Sequence, residues 1–419
     1  MATPSSGSAS RVDQARARAA NLGLVARTVY AAATPPTRAD VAAHTALNRS
    51  TVSRLVDDLV EARVVAELDP VSRVGPGRPG TPLVPDGSRY AALGLQVNVG
   101  HLTALVVDLA GVVRARRDVA ADQRGSSPAR VLTRLGRLAR DAAAELPDGL
   151  RLVGGGLALP GIVEADTERL LRAPNLGWSD VDVAALLASG PLAWLPMTVG
   201  NEADLASRTI SLTRPGHPGP VQHFIYVSGE TGIGGAVVVA GQPLPGRHGW
   251  AGEIGHVTVD PSGPPCPCGS TGCLEQYAGK RALLAAAGLA AEAATAELLS
   301  RVSDGDPVAV AAVERAAWAL GTALAGAINL VDVPVVVLGG HLRDLAGVLT
   351  PRLEATLGQR VLSAGWVPPT IRAGGGELAP GALGAAYREL ERVLADPDSV
   401  IAAPALADLS GHPSAMTGP

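Results

Sequence analysis

The residues with the most chemical content lie in one short stretch. Glu253-Ile254-Gly255-His256 is followed by Cys266-Pro267-Cys268-Gly269-Ser270-Thr271-Gly272-Cys273-Leu274-Glu275. One imidazole, His256, and three thiols, Cys266, Cys268 and Cys273, supply the four ligands of a closed, tetrahedral structural zinc site. Thiolate donors select zinc over harder cations, and the intervening Pro and Gly let the chain turn tightly around an ion. These are the only 3 cysteines among 419 residues. An odd, tight cluster fits a metal site in a reducing compartment better than a disulfide framework. The other reading is three free, buried thiols.

Two further groups of residues invite a ligand. Thr231-Gly232-Ile233-Gly234-Gly235 lies between apolar segments at 224–227 and 236–240. A strand–turn–strand of this kind can present backbone N–H groups to a phosphate, although a tight hairpin needs glycine for its own sake. Asn201-Glu202 after the apolar 197–199, and Pro174-Asn175-Leu176-Gly177-Trp178, place amides and carboxylates among apolar strands. Such pairs suit a hydroxyl-rich ligand such as a sugar. Helix capping and turn formation are the plainer alternatives.

Elements able to hold these residues are legible from residue 90 onward. Segments 93–99 and 101–109 read as paired strands with a turn at Ala110-Gly111, and a helix follows over 128–145. A strand then covers 152–159, and a long helix at 306–329 feeds a strand at 333–338 and Gly339-Gly340. Alternation of this kind is an α/β architecture. A chain 47% hydrophobic and 18% charged has the material for a sizeable core, and its length predicts two or three domains. The opening residues hold no apolar run of the signal-peptide kind. No stretch spans a bilayer without Gly, Pro or charge, so the expectation is a soluble, cytoplasmic chain with no membrane role.

Charge is uneven. The net of −4 excludes a uniformly basic nucleic-acid coat protein, yet residues 1–90 carry 11 arginines against 8 acidic residues, a net of +3 on an otherwise acidic chain. Within this basic part, Leu22, Val25 and Val29 fall at helical spacing before Pro35-Pro36. Thr37, with Asp40 three residues on, starts a second helix that runs through His44. A third helix spans 49–63, with Arg49, Ser50, Thr51, Ser53 and Arg54 at its beginning. Extended segments at 64–66 and 82–84 flank a Gly/Pro/Arg-rich stretch holding Arg73 and Arg78. Three short helices and a two-stranded ribbon describe a winged helix-turn-helix. Its third helix enters the major groove of double-stranded DNA, and its wing arginines reach the backbone. A three-helix packing module with a solvated polar end is the alternative. Ala46 and Arg63 stand where such turns favour glycine. The expected division is a flexible start over 1–20, the winged helix over 21–89, a second domain over 90–395 and a flexible tail over 396–419.

Together these residues resemble the ROK family (repressors, open reading frames and kinases), and within it the sugar-responsive transcriptional regulators. The similarity runs from about Asn21 to Leu394. It rests on Glu-x-Gly-His followed by Cys-x-Cys-Gly-x-x-Gly-Cys-x-Glu, on Pro-Asn-Leu-Gly-Trp, on the Gly-Ile-Gly-Gly loop and on Leu338-Gly339-Gly340. The resemblance implies a two-lobed, actin-like ATPase (ribonuclease H-like) domain behind the winged helix, with the ligand cleft between the lobes. By the same resemblance, zinc would sit on His256, Cys266, Cys268 and Cys273 in a loop over 253–275. Asn201, Glu202, Glu253, His256 and Glu275 would contact the sugar, with Gly161 and Asn175 lining the cleft. A homodimer or homotetramer bound to operator DNA and answering to a small sugar is the implied assembly.

Two departures separate this chain from the family's kinases. Where these carry Gly-x-Asp-x-Gly-Gly-Thr, this chain has Gly94-Leu95-Gln96-Val97-Asn98-Val99-Gly100. Where the kinase base belongs to Asn-Asp-Ala-Asn, it has Asn201-Glu202-Ala203-Asp204. Gln96 carries no charge, Asn98 and Val99 put side chains where phosphate would approach, and Glu202 is one methylene too long. The expectation is a repressor of carbohydrate genes and not an enzyme. An active sugar kinase with a DNA-binding head, and a regulator answering to a protein of sugar transport, are the rival readings.

Overall fold

Leu22, Val25, Ala26, Val29 and Tyr30 recur at helical spacing, and the first helix, α1 (Ser6–Ala31), buries all five. The computed structural model describes residues 6–70 and 80–401. Helix α1 begins well before residue 21, so most of the segment expected to be flexible is helical. The Ala- and Arg-rich run over 14–20 favours helix but carries no apolar stripe to announce it. Helix α2 (Arg38–Thr45) starts in a capping box: Thr37 Oγ1 accepts from the Asp40 N–H, and the Asp40 carboxylate accepts from the Thr37 N–H at 2.9 Å. Helix α3 (Arg49–Glu61) is capped by Asn48, whose Oδ1 accepts from the Thr51 N–H at 2.8 Å. It ends earlier than expected because Arg63 turns left-handed at φ 58°; Ala46 does the same at φ 56° in the α2–α3 turn. Each costs on the order of 1 kcal/mol, which the packed head absorbs. Strands β1 (Val65–Glu67) and β2 (Leu83–Pro85) pair antiparallel as the wing. Arg73 and Arg78 fall between them, outside the described residues.

The first lobe opens with β3 (Tyr90–Val97), β4 (His101–Asp108) and β5 (Val113–Ala120), joined antiparallel. Strand β5 was not expected. Its Val-Arg-Ala-Arg-Arg-Asp-Val-Ala is a charged edge strand with one buried position, a pattern that resists edge-to-edge pairing and hides strand character. After α4 (Pro128–Ala143), β6 (Arg151–Leu159) lies parallel to β3. A small sheet of β7 (Ile162–Val163), β8 (Leu170–Ala173) and β9 (Trp178–Val181) then precedes α5 (Val183–Ala188) and β10 (Met197–Asn201), which is parallel to β6. The sheet order is β10-β6-β3-β4-β5. Helix α6 (Glu202–Ser211) and the short pair β11 (Leu212–Arg214) and β12 (His217–Pro218) cross to the second lobe.

That lobe repeats the plan. Strands β13 (Phe224–Gly229), β14 (Ile233–Val239) and β15 (Gln242–Pro243) are antiparallel. Helices α7 (Glu275–Ala278), α8 (Lys280–Ala286), α9 (Thr295–Ser303) and α10 (Pro307–Val331) follow. Strand β16 (Val335–Gly339), helices α11 (Gly340–Asp344) and α12 (Ala346–Arg360), and strand β17 (Thr370–Ala373) complete the sheet β15-β14-β13-β16-β17. The duplicated order, with three antiparallel strands and two parallel to the first, is the two-lobed actin-like arrangement. Helix α10 is long and apolar enough to cross a membrane, but most of it is buried as the core helix of this lobe. Helix α13 (Pro380–Ala395) returns to the first lobe and packs on β3 and β6; α14 (Asp398–Ile401) is the last element described. The rest of the tail expected to be flexible, 402–419, lies outside the described residues.

Candidate ligand and metal site

The carboxyl ends of β3, β6 and β10 and the β13–β14 turn converge on a cavity of about 300 Å³ between the lobes. Ligands in open α/β sheets bind outside the carboxyl ends of parallel strands, where side chains from several strands converge. Gly161, Asn175, Asn201, Glu202, Glu253, His256 and Glu275, all expected at the cleft, line this cavity.

Their roles differ. Asn201 caps α6: its Oδ1 accepts from the N–H groups of Ala203 (2.7 Å) and Asp204 (3.1 Å), and its Nδ2 donates to the Gly161 carbonyl (2.9 Å). Most of that amide is therefore spent on the backbone. Glu275 is buried, and its Oε2 accepts from the Ile233 N–H (3.0 Å) and the Asn175 amide (3.3 Å). A Cβ at Gly232 would collide with both of those side chains, which gives one reason for glycine there. Gly234 and Gly235 belong to β14 and not to a phosphate-cradling turn. A Cβ on Gly235 would strike Ile254, so this glycine lets the Glu253–His256 turn pack on the sheet.

Glu202 begins α6 and faces the cavity. Its Oε1 accepts from Gln96 Nε2 (2.5 Å) and Asn98 Nδ2 (2.8 Å), donors on β3 and just beyond its end. Burial pushes its carboxyl up to about 7, with Glu230 adding in the same direction and the two amides opposing. Asp204 is pushed up to about 7 as well, by burial and then by Glu253. In the sequence alone, Gln96 and Asn98 register only as losses from a kinase motif. Arg172, also on the cavity wall, has no sequence signal, since a lone arginine on a short strand looks like any other; it donates to the Pro267 carbonyl at 3.3 Å.

The metal-ligating candidates meet beside this cavity. Donor atoms of His256, Cys266, Cys268 and Cys273 all lie within 4.8 Å of one another. Cys268 Sγ is 3.7 Å from Cys273 Sγ, and Cys266 Sγ is 3.9 Å from His256 Nδ1. Thiolates each about 2.3 Å from a shared tetrahedral zinc lie about 3.8 Å apart, so the cluster has the dimensions to hold a metal ion. The loop closes through bridges between Thr258 and Cys273 and between Pro265 and Thr271. Gly272 is required in it: φ is +63°, and a Cβ would run into the Asp260 carbonyl. The other imidazole nitrogen, Nε2, faces Glu253 at 3.9 Å on the cavity side.

A family model described as ROK family matches residues 92–390. The chain belongs to the ROK family. Among curated relatives, the putative xylose repressor of Caldicellulosiruptor sp. (strain Rt8B.4) is 28% identical over 339 residues, covering 77% of this chain and 84% of that one. A solved ROK family transcriptional regulator, described as a homolog of the E. coli MLC protein, superposes with a TM-score of 0.75 at 22% identity. It covers 92% of this chain and 99% of its own, a span that cannot be reached without the head. The ROK glucokinase of Streptomyces griseus, solved with glucose and AMPPNP, has a TM-score of 0.59 at 25% identity and covers 71% of this chain and 98% of its own.

What this ROK chain adds before the family segment is the head. Arg49, Ser50 and Arg54 are exposed at the start of α3, with Thr51 and Ser53 half-buried beside them. Neither Arg49 nor Arg54 makes a hydrogen bond or ion pair to any described residue. Arg38, not anticipated, braces α3 from behind: it pairs with Asp57 (2.6 Å) and Glu67 (2.8 Å) and donates to the Ser53 carbonyl (2.9 Å).

Proposed function

We propose that this protein is a DNA-binding transcriptional regulator, a repressor of carbohydrate genes, whose grip on operator DNA changes when a sugar occupies the interlobe cavity. The observation that carries the reading is the pairing, in one chain, of that carboxylate- and amide-lined cavity with two unpaired arginines on a winged-helix head. Glu202, Glu253 and Glu275 offer acceptors to sugar hydroxyls, and His256 Nε2 and the Asn175 amide supply further polar contacts. Arg49, Ser50, Thr51, Ser53 and Arg54 face the groove, and Arg73 and Arg78 belong to the wing that reaches the backbone. In a homodimer, or a tetramer built of two, paired recognition helices about 34 Å apart meet successive major grooves, so a small change in lobe closure alters their fit. A sugar that binds one arrangement tenfold to a hundredfold better supplies roughly 1.4–3 kcal/mol of coupling.

In this reading the ion on His256, Cys266, Cys268 and Cys273 is zinc in a closed, structural site, where it fixes the 253–275 loop and the cavity-facing orientation of His256. The chain is not a kinase: Gln96 stands where the kinases' acidic residue would be, and Glu202 is tied down by two amides. The relatives' names bear on the effector, and the xylose repressors make D-xylose the first sugar to test. The experiment is a panel of pentoses, hexoses and amino sugars, scored by thermal shift and by binding to DNA from upstream of the protein's own gene. At least one sugar should raise the melting temperature and change DNA affinity tenfold or more, with no ADP released from ATP. A panel that moves neither quantity would overturn the reading, and sugar-dependent ADP release would move it to a kinase.

A further inference from the structure

Gln96 has both ends of its amide engaged and is 2% exposed. While Nε2 donates to the cavity carboxylate of Glu202, Oε1 accepts from the backbone N–H of Ala382 at 3.0 Å, in the first turn of α13. N–H groups of a first helical turn have no partner within the helix, so this acceptor anchors α13. The helix then runs about 24 Å toward the head. It lies close on the sheet: Gly94 and Gly156 are paired across β3 and β6, and a Cβ on either would strike the carbonyl of Ala382 or Ala385.

At its far end α13 meets the head directly. A Cβ on Gly23 of α1 would strike the Ala395 carbonyl, to which Arg27 donates at 3.4 Å. Just beyond, Asp398 accepts from Arg18 at 3.0 Å, and the other guanidinium nitrogen of Arg18 donates to Asp58 of α3 at 2.8 Å. Leu383, Leu390 and Leu394 share one apolar core with Leu22 and Val25 of α1 and Leu55 and Leu59 of α3. Cavity wall and recognition helix are thus joined through one rigid rod with a polar tie at each end.

We propose that Gln96 is a positioning residue that makes cavity occupancy felt at the recognition helix. A ligand hydroxyl that draws Glu202 toward itself displaces Gln96, and with it α13, α1 and α3. The regulatory meaning rests on the sugar-responsive reading above, but the mechanical link does not. Close-packed interfaces respond to such displacements by shifting as units.

Hydrogen exchange on the full chain without ligand tests the link. Gln96→Met removes both hydrogen bonds at nearly constant volume. Leu135→Ala empties a buried site in α4, in the core on the other face of the same sheet, as a destabilisation control. Gln96→Met should speed exchange at least about threefold in residues 380–386, 21–31 and 49–61, whereas Leu135→Ala should leave the two head segments at the wild-type rate. Gln96→Glu adds a rescue that bulk alone would not give. Its carboxyl would lie against that of Glu202, where the Gln96 amide now makes its contact, and two carboxyls so close hold one proton between them, which restores the donor to Glu202. Head exchange in Gln96→Glu at pH 6 should then be near wild type, after correction for intrinsic rates. A rise confined to the first turn of α13, an equal rise in the head from Leu135→Ala, or a Gln96→Glu head that exchanges as fast as that of Gln96→Met would each overturn the proposal. Since neither sugar nor DNA enters the measurement, it can fail while the sugar response stands, or succeed in a protein that ignores every sugar.

Discussion

Glu202 holds a carboxyl in a confined cavity among three other glutamates, Glu230, Glu253 and Glu275, with Gln96 and Asn98 as its hydrogen-bond donors. The two amides stabilise its charged form but do not offset burial, so the group reaches about 7 in the fold. The sign of the consequence follows from that raised value. Below the ordinary glutamate range both folded and unfolded chains carry the proton, and Glu202 is neutral to stability. As pH rises toward about 7 the unfolded chain ionises first, and stability is lost; above it the full penalty persists. Glu202→Gln keeps an acceptor for Gln96 and Asn98 and removes the charge. The variant should melt a few degrees above wild type at pH 8, on the order of 2 kcal/mol after allowance for partial solvent contact, and the two should converge near pH 4.5. Parallel melting curves at the two pH values decide it. An equal offset at both would mean that the carboxyl is not carrying the penalty assigned to it.

At the scale of elements, the placement of α3 makes a claim about DNA that salt can test. Arg38 pulls Asp57 and the Ser53 carbonyl toward β1 and leaves Arg49 and Arg54 unpaired on the open face. Removing an arginine that neutralises one phosphate should lower the slope of log affinity against log salt by about 1. Arg49→Ala with Arg54→Ala should therefore weaken operator binding at least tenfold and flatten that slope by up to about 2. Weaker binding without any change in slope would assign these arginines to base reading instead, and unchanged binding would displace the recognition helix altogether. Helices α2 and α3 were legible in the sequence because Thr37, Asp40 and Asn48 announce their starts in local chemistry. The wing and strands β3, β4, β6, β10, β13, β14 and β16 were legible through apolar runs between turn residues, whereas the short β7, β8, β9, β11, β12, β15 and β17 carry too few residues to show a pattern. Strand β5 was not, since an arginine-rich edge strand looks like a loop, and the early start of α1 was not, since propensity without periodicity leaves no stripe. The metal cluster could be read outright because its four donors sit within 18 residues of chain. Gln96 could not: its meaning depends on Glu202 and Ala382, and only folding brings these three together.

For the whole molecule, the grouping of apolar cores cuts across the boundary drawn at residue 90. Among the described residues, the head has no core of its own. Its buried side chains merge with Tyr90, Ala92, Leu105 and Val107 of the first sheet and with the inner face of α13. The second lobe stands on a separate core, in which Ile254, Val259 and Leu274, flanking the candidate metal ligands, pack with α10 and α12. Head and first lobe should therefore melt together, and residues 1–89 expressed alone should bind a hydrophobic dye, because removal of α13 strips one wall from their core. Metal removal by a chelator should act on the other unit. An ion held by His256, Cys266, Cys268 and Cys273 would contribute several kcal/mol to the 253–275 loop, so its loss should lower the second-lobe transition by about 10 °C and leave the head and first lobe close to their original temperature. Calorimetry with and without chelator, with hydrogen exchange assigning each transition to its peptides, separates the outcomes. A head that melts first and alone would restore the independent DNA-binding module that the sequence by itself describes. Equal loss of protection in α3 on chelation would show instead that the two cores are one cooperative unit.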